Sequence, residues 1–407
     1  MSSLHSANSP PGANDPPAAN GYAARRDLPA LKRVSASPEL LTIDWADGTS
    51  SEFASLWLRD NLREDRDPHS GQRLTDVADL PAEPRIRSAV DRNGAISIEW
   101  EREPRPATFD LQWLAAHAPT HSPERPEFVT KRWLEGAALD ASRDFAWAAL
   151  SEARSNRSLR ARWLTRLLQD GLAFLSGVPS NEAAILDAAT LMGRVAETNY
   201  GLVFDVQAVA QPENLAYSDL GLGLHTDNPY REPVPGFQAL HALVASPDGG
   251  ESLFADGFAL AEHLRTTAPG AFAQLTQVPV PFLYRSKDAE LYAERPLIQL
   301  SCRGEVAAVH YNNRSIAPLR LAARDTAPFY AAYRRFAALL RDSRFHLQFR
   351  LREGDLVVFD NQRTLHGRTA FSSAKFPRHL RGCYLTRDSV YCEAALLRRE
   401  LEGEARP

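Results

Sequence analysis

The sequence predicts a mainly β fold with flanking helices, a sandwich or barrel preceded by a small β-rich domain. Beyond residue 200, short apolar runs are separated by Gly, Pro and Asp-Gly turns and interrupted by one long helical pattern, which is typical of a β sandwich or barrel. Between residues 40 and 117, a strand-turn-strand pattern occurs twice, which favours a small β domain. No GxGxxG follows a strand and no P-loop motif is present, which argues against a Rossmann or P-loop fold.

Length and charge bound the class of protein. The 407 residues suffice for two or three domains, and 47 Lys and Arg against 51 Asp and Glu give a net charge of −4, too mild for an electrostatic nucleic-acid binder. No apolar run approaches the roughly 18–20 residues of a membrane span. Cys302, Cys383 and Cys392 cannot frame a disulfide scaffold or a CxxC zinc site. Without an apolar signal segment, we expect a cytoplasmic protein that binds neither nucleic acid nor a membrane.

Composition divides the chain into four parts. Residues 1–38, rich in Pro, Ala, Asn and Gly, are expected to be a disordered tail. Residues 39–117 are expected to form the small β-rich domain, and the polar, Pro-rich stretch within 118–140 predicts a linker. Residues 141–398 are expected to form the second domain.

The small domain is expected to contain an internal repeat. LLTIDWADGTSSEFASLWLRDN and ISIEWEREPRPATFDLQWLAAH each predict strand, turn, short strand and an aromatic pair four residues apart. Alternation puts the Ile and Trp side chains of each first strand on one sheet face. The two halves are therefore expected to share one core. The aromatic residues that recur are Trp45, Phe53 and Trp57 in the first copy and Trp100, Phe109 and Trp113 in the second.

The second domain is expected to begin with a helix and a buried strand. Ser158–Gly171 has a Ser start, apolar residues three to four apart and a Gly stop, which predicts a helix. LAFLSGVP then predicts a buried strand, and Thr326–Arg341 predicts a second long helix.

Three side chains of the second domain suggest a metal site. His225 and Asp227 lie two apart at the end of an apolar segment, where a strand would point both to one face. His366 follows a predicted buried strand, which an antiparallel barrel can bring opposite the pair. Two His and one carboxylate on one face of an octahedron are the ligands of non-haem Fe(II) oxygenases. An HxD pair also arises by chance, and a single histidine after a strand is more often packed or solvated, so the set of three carries the hypothesis.

Several motifs, in order, extend this hypothesis. LWLRDN at 56–61, then NLAY, LHTDNPYR, HYNN, FDNQRTLHGR and RHLRGCY, resemble the γ-butyrobetaine dioxygenase and trimethyllysine dioxygenase family, within the taurine-dioxygenase-like Fe(II)/2-oxoglutarate oxygenases. The resemblance covers nearly the whole chain after the tail. It implies a double-stranded β-helix (jelly roll) as the catalytic domain over 141–398.

The resemblance also implies roles for individual residues. Arg378, twelve residues after His366, matches the position that binds the distal carboxylate of 2-oxoglutarate, with Arg381 as a nearby rival. A cage of aromatic rings would hold a trimethylammonium group. The implied iron ligands are His225, Asp227 and His366; Asn214 and Asn312 match further 2-oxoglutarate positions; and Tyr200, Phe204, Tyr217 and Tyr384 match the cage. For each Asn a strand-edge amide, and for each ring core packing, is the alternative.

The small domain departs from the family pattern. Members commonly bind a structural zinc there through three Cys and a His, whereas WLRDNLREDRDPHSGQR contains no Cys. His69 alone is a poor zinc site. We therefore expect no structural zinc.

The resemblance implies an Fe(II)- and 2-oxoglutarate-dependent dioxygenase that hydroxylates a small trimethylammonium acid, with γ-butyrobetaine to L-carnitine as the leading hypothesis. It also implies O₂ as co-substrate, stimulation by ascorbate and a homodimer. Trimethyllysine or a trimethylammonio-phosphonate are alternative substrates, and Arg231 or Arg314 would supply the extra cation that a phosphonate needs. A non-catalytic sensor of a quaternary amine or 2-oxoglutarate is a second alternative. A zinc hydrolase is a third, although no HExxH supplies its base.

Overall fold

The structure is a computed structural model that describes residues 30–118, 128–207, 219–372 and 378–404. The chain divides into two compact units, Met1–Glu124 and Arg125–Pro407. Among the described residues, no helix combines the length and the apolar character needed to cross a lipid bilayer.

The first unit consists of two copies of a three-stranded antiparallel sheet followed by a short helix. The sheets have the orders β1-β2-β3 and β4-β5-β6, which confirms the internal repeat. Each copy therefore has one more strand than its sequence pattern predicts. The elements are β1 (Leu31–Ala36), β2 (Leu40–Trp45), β3 (Ser50–Ala54), α1 (Ser55–Asp60), β4 (Ile86–Asp91), β5 (Ala95–Trp100), β6 (Ala107–Asp110) and α2 (Leu111–Ala116).

The two copies share one core. Alternate residues of β2 and β5 are buried, including Ile43 and Ile98, as the period of two requires. The rings of Trp57 and Trp113 lie 5.5 Å apart and join the two aromatic pairs. Arg59 forms ion pairs with Asp65 and, at 2.9 Å, with Glu103 of the other copy. Aromatic packing and ion pairs thus stabilise this unit, and the expectation of no zinc stays a prediction.

The predicted tail was too long. Strand β1 lies inside the predicted 1–38 segment and pairs with β2, while Leu31 and Val34 pack against the core of the unit. An edge strand needs few apolar residues because only one of its faces is covered, so composition alone does not reveal it.

The second unit contains most of the chain. Its strands are β7 (Ala146–Ala149), β8 (Leu172–Ser176), β9 (Val195–Ala196), β10 (Phe204–Gln207), β11 (Leu222–His225), β12 (Phe237–Val244), β13 (Ser252–Asp256), β14 (Val280–Arg285), β15 (Glu290–Arg295), β16 (Ile298–Leu300), β17 (Val306–Val309), β18 (Leu347–Phe349), β19 (Leu356–Asp360), β20 (Thr364–Arg368) and β21 (His379–Leu385). Its helices are α3 (Ala141–Asp144), α4 (Leu150–Ser155), α5 (Arg157–Asp170), α6 (Ala184–Ala189), α7 (Gly257–Thr267), α8 (Pro269–Gln277), α9 (Ala323–Leu339) and α10 (Arg387–Glu404).

Two sheets form the centre of this unit. The larger has the order β10-β21-β12-β19-β8-β7, with β9 also paired to β21, and the smaller has the order β11-β20-β13-β18. Rings from both sheets pack together: Phe254 of β13 lies 5.3 Å from Phe359 of β19, and Phe349 of β18 lies 4.9 Å from Phe174 of β8. Helices α5, α6 and α10 cover the opposite face of the larger sheet. The unit is therefore mainly β with flanking helices, as predicted.

The start of the second unit corrects two details. Helix α5 is capped by Asn156, whose side chain accepts from the Leu159 amide, and it ends at Gly171 with φ 73°, so the helix is confirmed but its start lies before Ser158. The predicted linker is too long: Trp133 donates its indole N–H to the Asp170 carbonyl at 2.9 Å, which fixes residues near it on the second unit. One large, partly buried ring outweighs the polar composition around it.

His310, which follows β17, makes the stability of this unit depend on pH. Burial first, and the charge of Arg295 second, lower the pKa of His310 to about 3. Above pH 6.5 the residue is neutral in both states, whereas at lower pH only the unfolded chain binds the proton. Stability contributed by neutral His310 is therefore lost by about 1.4 kcal/mol per pH unit between roughly pH 6 and 3.

We expect His310→Gln to reduce the slope of the free energy of unfolding against pH, in this range, by the equivalent of about one bound proton. Urea unfolding at pH 7, 6, 5 and 4 checks the difference in slope between the variant and the unmodified protein. Parallel profiles would show that His310 is not buried as a neutral ring.

Candidate active site

The pairing of β11 with β20 brings two distant histidines together. His225 is the direct partner of His366 across the two antiparallel strands, and their ring centroids lie 4.2 Å apart. Nε2 of His225 lies 3.3 Å and Nε2 of His366 3.8 Å from the carboxylate oxygens of Asp227. One ligand atom from each of the three residues falls within 4.8 Å of the others.

Asp227 lies beyond the end of β11 and is held there by side chains from two other segments. Asn361, fully buried, accepts from the Asp227 amide at 2.7 Å and donates to its carbonyl at 3.1 Å. The Tyr384 hydroxyl donates to the Asp227 carboxylate at 2.9 Å. Burial opposes ionisation, but the two histidines and Tyr384 outweigh it and hold the pKa of Asp227 below its ordinary value. The carboxylate is therefore ionised and oriented.

The two imidazoles are arranged to offer lone pairs. Nδ1 of His225 lies 2.9 Å from the Gly223 carbonyl, which fixes the proton on Nδ1 and leaves Nε2 as the ligand atom. Burial, and then the proximity of His225, lower the pKa of His366 to about 3, so this ring is neutral near pH 7. Two imidazoles and one carboxylate on one side of a centre fit Fe(II) and leave positions for other ligands.

A cavity of about 400 Å³ opens beside these three residues. Arg378 lines it, is 8% exposed, and forms neither a hydrogen bond nor an ion pair with another described residue. Burial, and then the nearby Arg368, lower the pKa of Arg378 to about 10, so it remains a cation at neutral pH. A Cβ at Gly250 would lie 2.8 Å from the Arg378 side chain, so a glycine makes room for it. A buried, unpaired guanidinium is suited to a carboxylate ligand.

Side chains alternate along β21 and the residue before it, so Arg378 and Arg381 lie on opposite faces. Arg378, Leu380 and Tyr384 line the cavity. Arg381 points to the other face, where it binds both carboxylate oxygens of Asp205 at 2.8 Å. Arg381 is therefore already neutralised.

Three of the four predicted cage residues meet at the same cavity. The ring of Tyr200 lies 6.3 Å from that of Phe204, which lies 5.0 Å from that of Tyr384. Phe204 faces Gly382 across the β10–β21 pair, and a Cβ there would come within 2.4 Å of its ring. The glycine thus allows Phe204 to reach Tyr384. The other predicted positions, Tyr217 and Asn214, lie outside the described residues.

The cavity wall contains polar groups beyond those predicted from the sequence. Asn312 lines it and donates to the Thr226 carbonyl at 3.2 Å, so it braces the segment between the two early ligands. Asn228, in the left-handed region at φ 55°, has a buried side-chain nitrogen that finds no partner among the described residues. Arg314 also lines the cavity, whereas Arg231, bonded to Asn199, does not. Tyr230 and Tyr284 add two further rings.

The site residues that were not predicted differ in how clearly the sequence marks them. Asn228 and Tyr230 lie in LHTDNPYR and Asn361 in FDNQRTLHGR, so proximity to the predicted ligands could have suggested them. Tyr284 lies in an ordinary strand, and only tertiary structure brings it to the cavity.

Comparisons with known proteins agree with this geometry. Residues 32–115 match the family described as gamma-butyrobetaine hydroxylase-like, N-terminal, and residues 140–384 match the family described as taurine catabolism dioxygenase TauD, TfdA. The chain belongs to the TauD, TfdA family. It is a 2-oxoglutarate-dependent dioxygenase of the γ-butyrobetaine and trimethyllysine dioxygenase group, so the predicted family is confirmed.

Relatives of this TauD-family dioxygenase carry several names. Gamma-butyrobetaine dioxygenase of Pseudomonas sp. (strain AK-1) is 34% identical over 88% of this chain and 94% of its own length. Dioxygenase str8 of Strobilurus tenacellus is 31% identical over 84% of each chain. Trimethyllysine dioxygenase of Meyerozyma guilliermondii is 25% identical over 90% of this chain and 95% of its own. Because these names differ, the substrate must be argued from the cavity.

We expect His225→Ala and His366→Ala each to abolish succinate release, because each removes one of two imidazole ligands. Succinate is measured with Fe(II) and 2-oxoglutarate supplied, and circular dichroism checks the fold. His69→Ala, an exposed histidine of the first unit, is the control and should keep full activity. Retained succinate release in either ligand variant would refute the ligand assignment.

We expect Tyr384→Phe to weaken Fe(II) binding by about tenfold, because it keeps the ring but removes the hydrogen bond that orients Asp227. Metal affinity is measured by competition with a chelator of known affinity. Tyr330→Phe on the exposed face of α9 is the matched control. Equal affinity in the Tyr384 variant and the control would mean that the hydroxyl does not position the carboxylate.

Proposed function

We propose that this dioxygenase hydroxylates a small trimethylammonium acid, and that γ-butyrobetaine, giving L-carnitine, is its substrate. The observation that carries the proposal is the composition of the single cavity beside the His-Asp-His group. It combines aromatic rings with Arg378, which has no protein anion among the described residues, and with Arg314, which forms no ion pair among them although the charge of Asp227 acts on it. Such a cavity suits a dicarboxylate co-substrate and a molecule with a cationic and an anionic end.

Arg378 is proposed to bind the distal carboxylate of 2-oxoglutarate. Its planar guanidinium can donate two parallel hydrogen bonds, and its burial strengthens them. The other end of the co-substrate then reaches the metal ligands. Asn312 stays a predicted contact to 2-oxoglutarate, and its link to Thr226 gives it a bracing role in addition.

Arg314 is proposed to bind the anionic end of the substrate. The charges of Asp227 and Tyr230 both act on it, which supports a position near the predicted metal ligands and the tyrosines of the cavity. The unpartnered nitrogen of Asn228 can donate a second hydrogen bond nearby. Of the two cations that the sequence left open, Arg231 is bonded to Asn199, so Arg314 is the better candidate.

The chain's own residues hold and orient the reactants. Bound Fe(II), with 2-oxoglutarate and O₂, supplies the oxidising power for hydroxylation of an unactivated C–H bond. His225, Asp227 and His366 would hold that ion, and Tyr384 fixes the carboxylate through its hydroxyl. Burial, and then Asp227, raise the pKa of Tyr384 well above its ordinary value, so it remains a donor. The surrounding rings exclude water from the substrate.

The remaining expectations are part of the same proposal. The two packed sheets, antiparallel except for the parallel β7–β8 pair, support a double-stranded β-helix, which we propose as the catalytic fold. A catalytic domain over 141–398, a homodimer, a cytoplasmic location and stimulation by ascorbate also remain proposals.

The test is a substrate panel with matched readouts. Protein with Fe(II), 2-oxoglutarate and O₂ is incubated with γ-butyrobetaine, trimethyllysine or 2-trimethylammonioethylphosphonate, and succinate and hydroxylated product are quantified. Equal amounts of succinate and hydroxylated γ-butyrobetaine support the proposal. Preferred turnover of another amine would replace the substrate, and binding without O₂ consumption would favour the sensor.

We expect Arg314→Gln to raise the KM for γ-butyrobetaine by about tenfold or more, because a charge-assisted hydrogen bond is lost. The KM for 2-oxoglutarate should stay within about twofold, since Arg378 is intact. Arg324→Gln, an exposed arginine of α9, is the control. A rise in the 2-oxoglutarate KM alone would assign Arg314 to the co-substrate instead.

A further inference from the structure

The hairpin formed by β14 and β15 brings Tyr284 to the cavity. Strand β14 also binds the segment after Arg314: the Leu283 amide donates to the Ser315 carbonyl at 2.8 Å, and the Ala317 amide donates to the Pro281 carbonyl at 2.9 Å. Backbone hydrogen bonds on both edges therefore fix β14 beside the cavity. The side chain of Tyr284 is thereby positioned by the fold rather than by neighbours in sequence.

Tyr284 completes an arc of five rings. Its ring stacks on Tyr230 at 5.1 Å with an interplanar angle of 20°, and it meets Tyr200 at 6.0 Å and 66°. From Tyr200 the arc continues through Phe204 to Tyr384. Both ends are fixed beside the metal ligands, because Tyr384 donates to Asp227 and the Tyr230 hydroxyl donates to the Asn228 side chain at 2.7 Å.

The charges of the cavity make these rings necessary for a cation. Of the described residues that line the cavity, Asp227 is the one carboxylate, and it belongs to the metal ligands. Arginines of the wall would repel a bare cation. A trimethylammonium group has no N–H to donate, so the faces of aromatic rings are its available partners.

Phe204 gives the arc a weaker π face than a tryptophan at that position would, because a phenyl ring attracts a cation less strongly than an indole does. A further aromatic ring in the arc therefore matters for holding a cation. Burial raises the pKa of Tyr230 above its ordinary value, so its ring is a neutral phenol across the physiological range and its attraction for a cation does not change with pH.

We infer that Tyr284 is a specificity-determining wall of the cation cage, selecting a quaternary ammonium group over an uncharged group of the same shape. This inference rests on the proposed function, because it assumes that the onium end of the substrate enters the ring arc. It goes beyond it by assigning a residue from the β14–β15 hairpin.

The experiment compares a cation with its neutral isostere. Binding of γ-butyrobetaine and of 5,5-dimethylhexanoate, in which carbon replaces nitrogen, is measured by calorimetry with Fe(II) and 2-oxoglutarate under argon, so that no turnover occurs. The variants are Tyr284→Leu, which keeps bulk but removes the π face, and Tyr284→Phe, which keeps the ring. Tyr292→Leu, a half-exposed tyrosine on the other strand of the hairpin, is the matched control.

We expect Tyr284→Leu to weaken γ-butyrobetaine binding by about fivefold to twentyfold, with less than about a twofold change for the isostere. Tyr284→Phe should stay within about threefold for both ligands, which also shows that the site is folded, and Tyr292→Leu should match the unmodified protein. In turnover, KM should rise more than kcat falls.

Equal weakening of both ligands in Tyr284→Leu, or no weakening, overturns the inference while leaving the proposed function intact. Failure of the unmodified protein to bind γ-butyrobetaine overturns the proposed function, and with it the inference.

Discussion

The register of β11 against β20 is the constraint on which the rest of the site depends. His225 and His366 are 141 residues apart in the chain and become direct neighbours because their strands pair at that position. Side chains alternate along a strand, so a slip of one residue would send His366 to the opposite face and separate it from His225 and Asp227. The buried Asn361 then fixes Asp227 through its backbone, which converts a strand end into a defined ligand position.

Charge placement follows from this centre. One ionised carboxylate and two imidazoles lie at one side of the cavity, and Arg378, which has no protein anion among the described residues, lies in its wall. The Arg378 guanidinium loses hydration on burial and regains stabilisation when an anion binds, so this part of the cavity favours a carboxylate ligand. The tyrosine arc supplies the complementary environment for a cation. The cavity is therefore organised for ligands that carry separated charges.

Much of this could be predicted from sequence where local pattern determines structure. The repeat of the first unit, helix α5 and the HxD pair all follow from periodicity and spacing. The resemblance favours Arg378 over Arg381, but local pattern alone does not decide between them, because the choice depends on where β21 begins and hence on which face each side chain takes. Strand β1 lies within the predicted tail because an edge strand needs little apolar surface, so composition does not distinguish it. Tyr284 was missed because hydrogen bonds to a distant segment, rather than its own neighbours, bring it to the site.

The central claim is that His225, Asp227 and His366 bind one metal ion next to a 2-oxoglutarate site. A crystal structure with Zn(II), as a redox-inert substitute for Fe(II), and 2-oxoglutarate tests it most directly. We expect Zn(II) at about 2.0–2.2 Å from Nε2 of both histidines and a carboxylate oxygen of Asp227, with the distal carboxylate of 2-oxoglutarate against Arg378. An ion bound elsewhere would refute the three-residue metal site, and a co-substrate that leaves Arg378 unpaired would refute the proposed 2-oxoglutarate site.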